Sequence, residues 1–90
     1  MSTFNLTIAS PDGNRFKGEA ARIAVRGSEG DLAVMAGHIP FITAVKPCAC
    51  VVLLPDGSEK KGHTEGGILT VSDEQTTLLS STFEWDAEEK

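Results

Sequence analysis

Phe4, Leu6 and Ile8 alternate with Asn5, Thr7 and Ala9, a period of two that puts one set of side chains on each face of a strand. Pro11-Asp12-Gly13 ends that run, because Pro presets its φ angle and Gly accepts a positive one. The same grammar returns from Phe16: Ala21, Ile23 and Val25 alternate with Arg22, Ala24 and Arg26 until Gly27-Ser28-Glu29-Gly30 closes the run. Leu32 to Met35 and Phe41 to Val45 predict two brief strands, interrupted by Gly37-His38-Ile39-Pro40 and stopped by Lys46-Pro47. Cys48 to Leu54 is apolar without alternation, which predicts a central strand covered on both faces, and Pro55-Asp56-Gly57 repeats the first turn. Glu59 to Glu65 reads as an exposed polar strand. Gly66-Gly67 marks a place where the backbone turns or passes close to a neighbour before Ile68 to Val71. Ser72-Asp73-Glu74 then turns the chain, and Thr76 to Ser81 pairs back.

Seven to ten short strands, with Gly, Pro and Asp about every eight to twelve residues and no helical period, predict an all-β sandwich or small barrel in a single domain. Phe4, Leu6, Ile8, Ile23, Val25, Val52, Leu54, Leu69, Val71 and Leu78 keep the period of two and are the expected inward set. Residues 1–82 form the expected domain. Residues 83–90 change character: Glu84, Asp86, Glu88 and Glu89 stand against Lys90 alone, which predicts a frayed acidic tail with Phe83 and Trp85 as its anchor.

Composition narrows the function more than the fold. Ninety residues with 40% hydrophobic content make one domain and exclude a multi-domain enzyme. Eight Lys plus Arg against thirteen Asp plus Glu give a net charge of −5, the wrong sign for nucleic acid or an anionic membrane surface. The longest apolar run, Cys48 to Leu54, falls far short of the roughly 20 residues a spanning helix needs, so no direct membrane insertion is expected and any membrane association runs through another protein. Cys48-Ala49-Cys50 places both thiols on one side of a strand, poorly set to bond each other, so no disulfide partner is expected and a reducing cytosolic setting fits.

Candidate chemistry is sparse. The two histidines, His38 and His63, accompany no nucleophile motif. With Cys48 and Cys50 they would supply four zinc ligands, but their spacing lacks two close pairs, and buried core thiols are the simpler reading. Gly27-Ser28-Glu29-Gly30 and Gly66-Gly67 lack the Lys and strand-to-helix context of a phosphate cradle and read as turns. Glu29 and Asp31 read as solvated loop charges rather than an acid–base pair. No cofactor and no metal are expected. What stands out is the His38 loop, where Ile39 and Phe41 flank a Pro: either these two turn into the sandwich or a partner covers them. His38 there is a structural hydrogen-bonder or, because an unperturbed imidazole titrates at about 6.5, a switch.

In order, Pro11-Asp12-Gly13, Phe16-x-Gly18-Glu19, Gly27-Ser28-Glu29-Gly30-Asp31, Gly37-His38-Ile39-Pro40, Thr43-Ala44-Val45-Lys46-Pro47 and Gly66-Gly67-Ile68-Leu69-Thr70-Val71 resemble the amino-terminal domain of the epsilon subunit of F-type rotary ATP synthase, over residues 3 to about 82. The resemblance implies a ten-stranded β-sandwich that is a non-catalytic rotor part. It implies two partners, the gamma subunit of the central stalk and the ring of membrane subunits, and a place on the cytoplasmic face of the energy-transducing membrane. It puts Glu29, Gly30, Asp31 and Leu32 against the ring, and His38, Ile39 and Thr43 against gamma. Cys48 stands where the family usually has Gly after Lys-Pro, a departure that alters a tight backbone feature or starts the strand earlier. The family's carboxy-terminal helical hairpin does not follow before Lys90: the chain is either a naturally short form, which the acidic, Trp-bearing ending favours, or a truncated piece of a longer one. Without that hairpin the chain is expected to have no nucleotide site and to support coupling without restraining ATP hydrolysis. A free-standing cytosolic β-sandwich adaptor, binding another protein through the His38 loop, is the alternative; a small enzyme would need a pocket of convergent polar groups.

Overall fold

The computed structural model describes residues 2–37, 39–73 and 75–86, which form ten strands and no helix. They are β1 (Phe4–Ser10), β2 (Gly13–Ala20), β3 (Arg22–Gly27), β4 (Gly30–Met35), β5 (Phe41–Val45), β6 (Cys48–Leu53), β7 (Glu59–Thr64), β8 (Gly67–Val71), β9 (Thr76–Ser80) and β10 (Phe83–Trp85). The ladder runs β10-β7-β6-β3-β5-β8-β9-β1-β2, with β4 on the other edge of β3. Because β3 pairs with β6 through Arg22 to Ala24 and with β5 only at Gly27, the ladder folds there into two layers. The first layer is β4-β3-β6-β7-β10 and the second is β5-β8-β9-β1-β2. Hydrogen bonds from Ser28 N–H to the Ala44 carbonyl (3.0 Å) and from Lys46 N–H to the Arg26 carbonyl (2.9 Å) lock the corner between them.

The period of two sends the expected residues inward. Leu6, Ile8, Ile23, Val25, Val52, Leu69, Val71 and Leu78 are buried, while Phe4 and Leu54 are half-buried against the same core. A second tie crosses the layers: Thr64 Oγ1 lies 2.5 Å from Ser80 Oγ and accepts the Gly66 N–H at 3.1 Å, so these buried hydroxyls are satisfied. Gly67 needs its missing side chain, since a Cβ there would land on the Leu79 carbonyl oxygen. The close approach expected at Gly66-Gly67 is this contact with β9.

Four local readings change. The run from Phe16 bends at Ala21, splitting into a largely exposed β2 and a half-buried β3. β6 is central in hydrogen bonding, between β3 and β7, yet it is covered on one face only: Cys50 and Val52 are buried, Val51 is half-buried and Ala49 is exposed. β7 is not fully exposed, because Gly62 and Thr64 turn inward beneath β10. The frayed stretch expected from residue 83 begins instead as a strand, with Phe83 1% exposed in the core. β1 and β9 pair in parallel, a pairing of distant segments that no turn in the sequence announces.

Candidate functional site

The β3–β4 hairpin turns through Ser28 and Glu29 and re-enters the sheet at Gly30, whose φ of 122° suits glycine. Its acids are not equivalent. Asp31 Oδ1 accepts a hydrogen bond from Arg26 Nε at 2.9 Å, and that bond with its charge holds the Arg26 guanidinium above its ordinary value. Glu29 is exposed, and among the described residues no cation pairs with it. Leu32 turns the other way, half-buried and packed on the core, so the hairpin's outward face is Glu29, Gly30 and Asp31.

Of the residues expected to meet the second partner, His38 lies outside the described residues and Ile39 is 74% exposed. Thr43 shares the inner side of β5 with Phe41 and Val45 and donates its hydroxyl to the Ala44 carbonyl at 3.2 Å. Phe41 is half-buried against the core, so of the two apolar loop residues one turns in and one stays out. Ile39 and Thr43 therefore do not present side chains on one surface. The outward neighbour on β5 is Ile42, 68% exposed.

Ile42 opens a wider face. Across the second layer, register aligns Ala44 with Ile68, Ile68 with Leu79 and Leu79 with Ala9; the next row aligns Ile42, Thr70, Thr77 and Thr7. Ile68 and Leu79 are 41% and 55% exposed, and β1, β5, β8 and β9 carry no charged residue. Charges on the outer sides lie elsewhere: Arg15, Lys17 and Glu19 on β2 at the edge of the same layer, and Arg22, Arg26, Glu59, Lys61 and His63 on the first layer. A solvated sheet face in a chain with 23% charged residues normally carries charges, so this one fits a covered surface. The sequence shows the outward half of each alternation, but only the strand register brings those halves into one face.

The remaining chemistry does not converge. Cys48 Sγ accepts the Arg26 main-chain N–H at 3.3 Å, so this thiol is bonded to β3. Cys50 is buried, and burial with Cys48 nearby pushes its thiol up to about 12, which keeps it protonated and inert. His63 stands on the opposite side of the sheet, with Nε2 3.0 Å from Glu65 Oε2. Among the described residues, no three metal-ligating groups gather. An open hollow of about 590 Å³ on the first layer is lined by Ala24, Ala33, Ala49, Val51 and Cys48. Its charged groups, Arg26 and Asp31, are bonded to each other, which leaves little polarity there to act on a substrate.

The fold defines an all-β sandwich domain with one uncharged outer face on β1, β5, β8 and β9. Its chain belongs to the ATP synthase delta/epsilon chain family: the family model for that chain's β-sandwich domain matches residues 3–86. An ATP synthase epsilon chain described as sodium ion specific, from Acetobacterium woodii, is 36% identical over 86 residues. That match covers 96% of this chain but 65% of the relative, so the chain spans about two-thirds of that protein's length. The fold is also that of a chain in the Euglena gracilis mitochondrial ATP synthase (OSCP/F1/c-ring), with TM-score 0.87, 22% identity, and 94% of this chain and 54% of that one covered. A chain of the Tetrahymena thermophila mitochondrial ATP synthase central stalk and c-ring superposes with TM-score 0.74 at 12% identity, covering 92% and 66%.

Proposed function

We propose that this chain is a non-catalytic rotor part of an F-type ATP synthase, joining the gamma subunit of the central stalk to the membrane ring so that ion flow is coupled to ATP synthesis. Family membership supports the assembly. The observation that carries the division of labour is that one sandwich bears two unlike surfaces: an acid-tipped hairpin at Glu29-Gly30-Asp31 and an uncharged apolar face on β5, β8, β9 and β1. The hairpin meets the polar loops of the ring. The uncharged face, on the strand that follows Ile39, meets gamma, and there desolvation supplies affinity without stranding a buried charge. In this reading Thr43 contributes through its main chain and Ile42 supplies the side chain. The protein is held at the cytoplasmic face of the energy-transducing membrane through these partners; no helix among the described residues is long and apolar enough to cross a membrane.

Affinity purification of the native protein from its cells tests this directly. Gamma and ring subunits should accompany it. Recovery of an unrelated partner that depends on the His38 loop, with no ATP synthase subunit, would overturn it in favour of the adaptor.

A further inference from the structure

The two surfaces meet at one corner of the sandwich. β3 runs into the Ser28-Glu29 turn, and its last residues face β5 across the seam between the layers. Gly27 pairs with Val45, Ser28 N–H donates to the Ala44 carbonyl at 3.0 Å, and Lys46 N–H donates to the Arg26 carbonyl at 2.9 Å. Two main-chain hydrogen bonds flanking the Gly27–Val45 pair thus join the base of the hairpin to the end of β5 and to Lys46 just after it. The covalent route between the same points is longer, through β4 and past Gly37, whose φ is 86°.

Gly27 makes the fit possible through space rather than through φ. It is buried, and a Cβ on it would lie 2.6 Å from Leu32 Cδ2 and 3.6 Å from the Ala44 oxygen. Leu32 packs over this bare stretch of backbone at the edge of the core. A Cβ at position 27 must displace the end of Leu32 while making only ordinary contact with the Ala44 oxygen, so it takes the branches of a larger side chain to crowd the seam.

We propose that this corner is the rigid link that makes the acid hairpin and the outer face of β5 one mechanical body, with Gly27 and Leu32 as its positioning residues. What is transmitted rests on the stalk reading above; the stiffness of the corner does not. The two bonds flank one residue pair and open together, so while they hold, load on the hairpin passes to β5.

Gly27→Val tests the link in the assembled rotary complex. Amide exchange at Ser28 and Lys46 should quicken by about tenfold or more while β6 and β7 keep their rates. Ions moved per ATP hydrolysed should fall to about half, with affinity for gamma and for the ring within about threefold of the parent. Gly27→Val with Leu32→Ala should return the exchange rates to within about threefold of the parent, because the displaced atoms are gone. Should Gly27→Val fail to fold, Ser28→Pro removes one seam donor at an exposed turn position and is read by exchange at Lys46 and by the coupling ratio, since proline carries no amide proton. Normal coupling despite faster exchange, or unchanged exchange, overturns the proposal. A parent chain that binds neither partner overturns the stalk reading and with it the transmission, while exchange still reports on the corner itself.

Discussion

The indole N–H of Trp85 donates to the main-chain carbonyl of Arg15 at 2.9 Å, joining residues 70 apart in sequence and closing β10 of the first layer onto β2 of the second. Trp85 also meets Phe83 and Phe16 edge-on, with ring centroids 4.8 and 6.3 Å away, and carries the Lys60 ammonium 4.5 Å above its ring. Gly62 leaves room for this packing: a Cβ there would lie 2.7 Å from the Glu84 oxygen and 3.0 Å from the Trp85 ring.

Trp85→Ala should therefore cost about 3 kcal/mol, since it removes both the aromatic packing and the bond that bridges the layers. Trp85→Phe, which keeps a ring but loses the donor, should cost about 1 kcal/mol. Urea unfolding of both variants checks the pair. A Trp85→Ala midpoint equal to that of the parent would mean that the seam holds without it.

β10 shows where the sequence was hard to read. The acids at 84, 86, 88 and 89 gave the ending the look of a solvated tail, and a three-residue strand is too short for a periodic signal. Phe83 enters the core because β7 offers an edge and a glycine beneath it, a long-range condition that local pattern does not carry. The alternating runs of β1, β3 and β8 were legible because each has one buried face, which fixes which residues point inward. The continuous apolar run of β6 misled for the same reason: its outer residues are apolar without being covered. At the candidate site the hairpin acids were legible from their turn, but Ile42, Ile68 and Leu79 were not, since they come together only through the register of β5, β8 and β9.

Val52 is fully buried between β3 and β7. Val52→Asp should cost about 4 kcal/mol or prevent folding, because the carboxylate finds no partner in the core. Thermal unfolding by circular dichroism gives the answer. A cooperative transition near the parent's midpoint would show that this strand is not central.

The buried Cys50 thiol makes a specific contribution to alkaline stability. Its folded value is raised from 9.0 to about 12, so the folded protein keeps a proton that the unfolded chain releases. Stability from this group is therefore whole below about pH 9 and declines as pH rises from there towards 12. Cys50→Val should flatten that decline in denaturant midpoints measured across the range. In native protein at pH 8, a thiol reagent should label Cys48 before Cys50. Equal labelling rates for the two thiols would contradict their different burial.

The assignment of the uncharged face to gamma is most directly tested by binding of the isolated gamma subunit to Ile42→Lys/Leu79→Lys, with Glu29→Lys/Asp31→Lys measured beside it. All four positions are exposed, so each fold should survive with changes of about 0.5 kcal/mol per site. The Ile42/Leu79 variant should bind gamma at least about a hundredfold more weakly, because two charges must be desolvated against an apolar partner surface. The hairpin variant should bind gamma within about threefold of the parent and lose affinity for the ring instead. Parental gamma affinity in a well-folded Ile42→Lys/Leu79→Lys variant would contradict the assignment.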